Sequence, residues 1–241
     1  MSEHLFVVED EPDIAALLER AFRREGWTVT LCANGREAVE RLVAGPPPSL
    51  LLVDVNLPEV SGFEICRRVR REPGLADLPV VVVSARADEI DRVVGFEVGA
   101  DDYVTKPFSV RELILRIRAL LRRTRDLPSS RTPEGGRITF GALTLEPEAH
   151  RAWVANEEIL LTPIEYRLVL SFLQHRGRAL TREDILSQAW GEDLHITSRT
   201  VDTHVKRLRA KLGIAGEALQ TLRGVGYRWA AAPPERPESA A

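Results

Sequence analysis

Four strand-like runs of the chain each end at a side chain that can take part in chemistry. Short unbroken apolar runs are typical of strands buried on both faces of a parallel sheet. The ligand crevice of such a sheet lies outside the carboxyl ends of its strands, so we expect three acids, one hydroxyl and one ammonium to meet there. The runs and the residues that end them are Leu5–Val8 with Glu9 and Asp10, Leu50–Val53 with Asp54, Val80–Val83 with Ser84, and Tyr103–Thr105 with Lys106.

These residue types indicate phosphoryl chemistry assisted by a divalent cation. Carboxylates at close range repel one another and raise each other's pKa, so Glu9, Asp10 and Asp54 together require a cation. One or two carboxylates, with positions left for water and phosphate oxygens, suit Mg²⁺. Asp54 is then the candidate nucleophile for phosphorus, while Ser84 and Lys106 each bind a phosphoryl oxygen.

Each residue also has a simpler explanation. An acid at the end of a strand, such as Asp54, is often a turn or cap residue, and Glu9 and Asp10 can cap the helix that follows them. Ser84 can be a loop hydroxyl and Lys106 a solvated surface group. Their joint occurrence at the ends of four core strands favours the site.

Regular secondary structure must position these residues. Apolar residues spaced three and four apart predict helices. Each of five predicted strands is followed by such a helix. This alternation predicts an α/β fold, an open parallel sheet with helices on both faces. The helices are predicted from Pro12 to before Gly26, after Asn34, and over residues 62–71, 88–98 and 109–123.

A polar stretch rich in Pro, Gly and Ser divides the chain. Residues 124–136 are predicted to link a first domain, 1–123, to a second, 137–230. The second domain is predicted to be α+β. It has short antiparallel strands over 138–161, helices beginning near Thr162, Thr181 and Ser198, and a tight hairpin at Gly224–Gly226. Residues 231–241 contain three prolines and no core-forming residues, which predicts disorder.

Composition and hydropathy limit the classes of protein to which this chain can belong. Residues 1–120 carry 21 acidic and 15 basic residues, whereas residues 121–230 carry 13 and 17, which favours nucleic acid as a ligand of the second domain. Two distant cysteines, Cys32 and Cys66, form neither a disulfide framework nor a zinc site. The N-terminus lacks a basic leader region, and the longest uncharged apolar run, Leu78–Ala85, is too short to span a bilayer. We therefore expect a cytoplasmic protein.

The last predicted helix has one apolar and one basic face. On the basic face arginine suits phosphate and guanine, and a threonine methyl suits thymine; a solvated charged surface is the alternative. Arg223, at the tip of the predicted hairpin, is positioned like a wing that reaches the minor groove. The apolar face contains Val201, Val205, Leu208 and Leu212, and the basic face contains Arg199, Thr203, Lys206 and Arg207.

Several segments resemble the receiver domain of bacterial response regulators, and the match covers residues 3–123. They are Val8–Glu11, Val53–Pro58 with Gly62, Ser84–Arg86 and Gly99–Phe108. The resemblance implies a five-stranded flavodoxin-like (CheY-like) fold in which Asp54 accepts a phosphoryl group from the phosphohistidine of a sensor kinase. It also implies that Ser84 and Lys106 bind the phosphoryl group, that Tyr103 turns inward when Ser84 moves, and that the Lys106–Pro107 peptide bond is cis. The implied Mg²⁺ ligands are Glu9, Asp10, Asp54 and the carbonyl of Asn56.

Residues Arg199–Arg209 followed by Arg223–Arg228 resemble the winged-helix effector of the OmpR/PhoB subfamily, and this match spans residues 137–229. It implies an N-terminal four-stranded sheet, a recognition helix in the major groove, and a loop over 190–197 that can contact RNA polymerase. By the same resemblance Arg207 contributes to base choice and Arg209 contacts DNA of any sequence.

The combined pattern predicts a transcription factor that takes a phosphoryl group onto its own Asp54, slowly loses it again, and is not a turnover enzyme. Its DNA sites are expected to be direct repeats in promoters. The rival hypothesis is a Mg²⁺-dependent phosphatase with an aspartyl nucleophile. Phosphatases of the haloacid dehalogenase type place a second Asp two residues after the nucleophile, where this chain has Asn56.

Charged residues near the end of the first domain predict a homodimer on phosphorylation. A symmetric interface repeats every ion pair, so weak pairs add up. The alternative is local, because Glu112 and Arg116 are spaced i, i+4 and can pair within their own helix. By resemblance, the pairs across the twofold axis are Arg92 with Glu112, Glu97 with Arg118, and Asp102 with Arg116, with Asp101 on the same surface.

Overall fold

The computed structural model describes residues 2–85, 94–95, 98–125, 136–147, 149–190 and 198–233, without the side chains of 123–125 and 198–199. The chain divides into two units, Met1–Asp126 and Leu127–Ala241. Most of the predicted helix 88–98, linker 124–136 and tail 231–241 lies outside the described residues. The predicted domain limits therefore stay predictions.

The first unit contains the predicted parallel sheet, in the order β2-β1-β3-β4-β5. The chain passes from β1 outward to β2 and then returns to the other side of β1 as β3. Such a reversal creates a crevice at the carboxyl ends of β1 and β3. The strands are β1 (His4–Val8), β2 (Thr28–Cys32), β3 (Leu50–Asp54), β4 (Val80–Ser84) and β5 (Asp102–Thr105).

Helices cover both faces of this sheet. Their apolar stripes form two cores, one around Leu18, Phe22 and Ile117, the other around Leu42 and Ile65. The last of these helices ends two residues beyond the predicted limit of 123. The described helices are α1 (Pro12–Arg24), α2 (Gly35–Ala44), α3 (Gly62–Arg71) and α4 (Val110–Arg125).

The second unit has the predicted α+β architecture. A four-stranded antiparallel sheet, in the order β6-β7-β8-β9, precedes three helices and a three-stranded sheet of order β10-β12-β11. The strands are β6 (Ile138–Phe140), β7 (Leu143–Glu146), β8 (Arg151–Val154), β9 (Glu157–Ile159), β10 (Ala179–Thr181), β11 (Leu219–Leu222) and β12 (Gly226–Trp229). The helices are α5 (Pro163–Gln174), α6 (Arg182–Trp190) and α7 (Ser198–Leu212), and a 3-10 helix spans Gly213–Ala218.

The core of this unit lies between the helices and both sheets, and its largest wholly buried side chains are Trp190 and Trp229. Strand β10 was not predicted, because three residues carry no readable periodicity. Its strand conformation depends on pairing with β12, where Leu180 lies opposite Tyr227. No helix in the described part of the chain is long and apolar enough to cross a membrane.

Candidate functional site

The acidic pocket lies at the carboxyl edge of the sheet, where β1 and β3 run side by side. Val8 pairs with Val53, so Glu9 and Asp54 leave the sheet as neighbours. Both are buried, with Glu9 4% exposed and Asp54 3% exposed. Lys106 follows β5, and its Nζ donates to Glu9 Oε1 at 3.0 Å and to Asp54 Oδ2. Residues distant in sequence thus place one cation between two buried carboxylates.

Burial and charge both act on the titration of this group. The pKa of Glu9 is raised to about 7: burial raises it most, the hydrogen bond from Lys106 opposes this, and the charge of Asp54 adds to the increase. Burial also lowers the pKa of the Lys106 ammonium, but its hydrogen bonds to Asp54, Glu9 and Glu11 outweigh this and raise the pKa above its ordinary value. One ammonium therefore faces three carboxylates.

Glu11 is the third carboxylate, and sequence reasoning missed it. Its Oε1 accepts from Lys106 Nζ at 3.0 Å, and one oxygen from each of Glu9, Glu11 and Asp54 lies within 4.8 Å of the others. Such oxygen donors suit a hard divalent cation. Asp10 is exposed and lies outside this group, so its metal-binding role stays a prediction. The signal for Glu11 was a run of three acids after β1, but adjacency does not show which acid turns inward.

The other predicted pocket residues line the same edge. The backbone N–H of Asn56 donates to Asp54 Oδ1 at 2.9 Å. Ser84 ends β4 with its side chain wholly buried, and its carbonyl accepts from the backbone N–H of Lys106 at 2.7 Å. The Lys106–Pro107 peptide bond is cis, as the resemblance implies.

The ring of Tyr103, the predicted switch residue, is turned inward on β5 and is 7% exposed. A Cβ atom built on Gly95 would lie 2.8 Å from Tyr103 Cδ2 and 3.4 Å from Phe63 Cε1. The ring therefore occupies space that exists only because residue 95 is glycine.

Four of the predicted dimer-interface residues form ion pairs within one chain, and their pairing across a twofold axis stays a prediction. Arg116 is buried; its Nη1 lies 3.1 Å from Asp102 Oδ2 and its Nη2 lies 2.8 Å from Glu112 Oε1. The pairing of Asp102 with Arg116 thus closes inside the receiver, because β5 and α4 bring them together. Arg118 likewise pairs with Glu25.

The expected place of Asp101 on this surface requires a correction. Its side chain is wholly buried, and its Oδ2 accepts from Arg70 Nη2 and from the backbone N–H of Val80, both at 2.8 Å. It ties the beginning of β5 to β4 and α3 and offers nothing to an exposed interface. Arg92 and Glu97 lie outside the described residues.

Helix α7 has the predicted apolar face but a narrower basic face. Val201, Val205, Leu208 and Leu212 are wholly buried, and Thr203, expected on the DNA face, is only 8% exposed. Lys206 is exposed. The side chain of Arg199 and the loop 191–197 lie outside the described residues. Arg223 is exposed at the tip of the β11–β12 hairpin.

Two α7 arginines that were expected to contact DNA are bound within the domain. Arg207, whose side chain is 14% exposed, places Nη2 3.0 Å from Glu165 Oε1. Arg209 donates to the carbonyl of Leu219 at 2.9 and 2.6 Å, and its guanidinium lies over the ring of Tyr227. The prediction that Arg207 lies on an exposed stripe is therefore wrong. A buried carboxylate requires a cation, and Glu165 holds Arg207 inward.

Comparison with known proteins agrees with both units. The response regulator receiver domain matches residues 5–118, and the C-terminal domain of transcriptional regulatory proteins matches residues 156–229. The chain is 39% identical over 226 residues to the phosphate regulon transcriptional regulatory protein PhoB of Pseudomonas aeruginosa, covering 93% of this chain and 96% of that protein. It is 40% identical over 233 residues to the transcriptional regulatory protein CseB of Streptomyces avermitilis, covering 93% and 97%.

Solved structures give the same result. The response regulator DrrB of Thermotoga maritima, an OmpR/PhoB homolog, is 27% identical with a TM-score of 0.51, over 95% of this chain and all of that one. Fold and pocket together define a two-component response regulator. The chain belongs to the OmpR/PhoB family of these proteins, and it is a DNA-binding transcription regulator.

Proposed function

We propose that Asp54 accepts a phosphoryl group from the phosphohistidine of a sensor histidine kinase, and that this modification sets the DNA affinity of the second domain. The observation that carries the proposal is the contact of Lys106 Nζ with Asp54 Oδ2 in a buried acidic pocket. A lysine held at this carboxylate is already beside any phosphoryl group attached to it.

The transfer conserves atoms and charge. An oxygen of Asp54 attacks phosphorus, a P–O bond forms, and the P–N bond to the imidazole breaks, with the electron pair staying on the ring nitrogen. Lys106 then exchanges its contact with the carboxylate for one with a phosphoryl oxygen, and Ser84 binds another. The N–H of Asn56 keeps its hold on Asp54 Oδ1.

We further propose Mg²⁺ as the cofactor. Asp54 and Glu9 would hold it, together with the carbonyl of Asn56 and either Glu11, which the geometry favours, or Asp10, which the resemblance implies. When bound, Mg²⁺ neutralises the oxygens of the incoming phosphoryl group.

The remaining partners follow from the same assignment. The phosphorylated chain forms a homodimer through its receivers in the cytoplasm, its second domains bind direct-repeat promoter sites, and the loop at 190–197 contacts RNA polymerase. Because Asp102 and Arg116 already pair within the chain, a dimer across this surface must either open that pair or depend on the other two predicted pairs, Arg92 with Glu112 and Glu97 with Arg118.

Acetyl phosphate with Mg²⁺ provides the test. We expect one hydroxylamine-labile phosphoryl group per chain, located at Asp54 by mass spectrometry and absent from Asp54→Ala. Label retained in that variant would refute the assignment. Multiple turnover of a phosphomonoester would instead favour the phosphatase.

A further inference from the structure

The loop that joins β3 to α3 folds back onto the beginning of α2. At residue 35 a Cβ atom would lie only 2.1 Å from the carbonyl oxygen of Val60, so glycine is required there. The loop is also closed on itself, because the N–H of Gly62 donates to the carbonyl of Val55 at 3.1 Å. The segment that follows Asp54 is therefore seated on α2.

Glu59 is the side chain that fastens this loop. Its Oε1 accepts from Asn34 Nδ2 at 2.9 Å, and its Oε2 accepts from Arg36 Nε at 3.0 Å. Its backbone lies in the left-handed region with φ of 63°, which is uncommon for a residue other than glycine. Such a conformation persists where the surroundings hold it, and here the two side-chain contacts do so.

Asn34 joins this contact to the end of a helix. Its Oδ1 caps α2 by accepting from the backbone N–H groups of Arg36 and Glu37 at 2.8 and 3.2 Å. Its Nδ2 is thereby directed at Glu59. One amide thus fixes both the first turn of α2 and the loop.

The same loop begins with the groups that orient the acidic pocket. Asn56 donates its N–H to Asp54 Oδ1 and bears the carbonyl assigned to the cation. We propose that Glu59 is a positioning residue: by holding the loop on α2 through Asn34 and Arg36, it sets the orientation of Asp54 and Asn56 for cation binding and phosphoryl transfer. This inference rests on the proposed function of Asp54.

A swap of donor and acceptor tests the contact in the full-length chain. Asn34→Asp keeps the helix cap but sets two carboxylates against each other, whereas the double variant Asn34→Asp with Glu59→Gln restores the hydrogen bond with its direction reversed. Arg41→Gln changes the net charge equally on the same helix, away from Glu59, and serves as the control.

Three quantities are measured: Mg²⁺ affinity by calorimetry, hydrogen exchange of the Asn56 amide, and the rate of labelling by acetyl phosphate. We expect Asn34→Asp to weaken Mg²⁺ binding and slow labelling by about two- to fivefold, the range for exposed ion pairs, and to speed exchange. The double variant Asn34→Asp with Glu59→Gln should return all three quantities to the values of the parent chain. The control Arg41→Gln should not weaken Mg²⁺ binding, since a more negative net charge by itself attracts the cation.

Glu59→Gly tests the same contact without changing Asn34, the residue that caps α2. It removes the contact and also the cost of a left-handed non-glycine residue, so the variant should fold at least as well as the parent while showing the same weaker Mg²⁺ binding. Parent-like Mg²⁺ affinity and Asn56 exchange in Asn34→Asp or Glu59→Gly would overturn the inference. A parent chain that takes no label at Asp54 would refute the proposed function instead.

Discussion

The receiver and the DNA-binding domain each contain a cluster of opposite charges built around buried carboxylates, and the two clusters differ in their ratio of cations to carboxylates. In the receiver, Lys106 lies among three carboxylates at the rim of the sheet. In the second domain, the wholly buried Glu165 lies between Arg207 at 3.0 Å and Lys211 at 2.6 Å. The first cluster has too few cations, whereas the second has more cations than it needs.

This difference separates a site from a structural contact. An excess of carboxylate at an accessible strand edge leaves room for another cation and for an incoming phosphoryl group. A buried carboxylate that already has two cations, and that also accepts from the backbone N–H of Thr162 at 2.9 Å, has its charge compensated within the domain. We therefore assign the receiver cluster to chemistry and the Glu165 cluster to the packing of α7 on α5.

Removal of Glu165 should have the largest effect on stability. Glu165→Ala leaves Arg207 and Lys211 without their buried partner and should lower the free energy of unfolding of the second domain by about 3 kcal/mol. Denaturant titration of the full chain measures it. Burial raises the pKa of Glu165, but Arg207 and Lys211 outweigh this and lower it, so the contribution of Glu165 is present above pH 4.5 and is lost as pH falls further. Glu158→Ala, which breaks an exposed pair with Arg151, is the control and should change little.

An alanine at position 95 should leave the phosphorylation of Asp54 intact but prevent its effect on DNA affinity. Its methyl group and the inward ring of Tyr103 cannot occupy the same space, and such overpacking costs about 1–3 kcal/mol. Gly95→Ala should take label at Asp54 normally but lose the gain in DNA affinity on phosphorylation, as DNA titrations would show. Gly74→Ala, where a Cβ meets nothing within 4 Å, is the matched control. A normal phosphorylation response in Gly95→Ala would remove Tyr103 from the switch.

The burial of Glu9 in the receiver cluster should appear as a pH dependence of stability, with an effect of smaller size. Burial raises the pKa of Glu9 from 4.5 to about 7, so the folded chain holds a proton that the unfolded chain releases. Receiver stability should therefore fall as pH rises from about 4.5 to 7. Glu9→Gln should flatten this slope in urea titrations. Glu64→Gln is the control, because Arg68 lowers the pKa of Glu64. An unchanged slope in Glu9→Gln would assign the dependence to another group.

The smallest predicted effect is on DNA binding, and it should distinguish the exposed Lys206 from the inward-facing Arg207 on α7. Lys206→Ala should weaken binding to all DNA sequences alike and reduce the salt slope by about one. Arg207→Ala should lower stability as well as DNA binding, since it deprives Glu165 of one partner. Fluorescence anisotropy at several salt concentrations, with unfolding measured alongside, tests both. Equal stability of the two variants would mean that Arg207 acts on DNA alone.

The positions of Asp54, Ser84 and Lys106 were predictable because they depend on local patterns. Apolar runs identify strands, the alternation with helices makes the sheet parallel, and parallel strands end at one edge. The core face of α7 was predictable for the same reason, since Val201, Val205 and their partners recur at helical spacing. Such periodic patterns determine which elements form and which side of each is buried.

The sequence by itself did not determine where the long charged side chains go. Glu11 rather than Asp10 reaches Lys106, Asp102 and Arg116 pair within one chain, and Glu165 draws Arg207 away from the exposed face. In each contact the two partners come from different parts of the chain. The charged group at the end of a flexible side chain pairs with the most favourable opposite charge within its reach. Only the tertiary structure, by setting which elements are neighbours, decided these contacts.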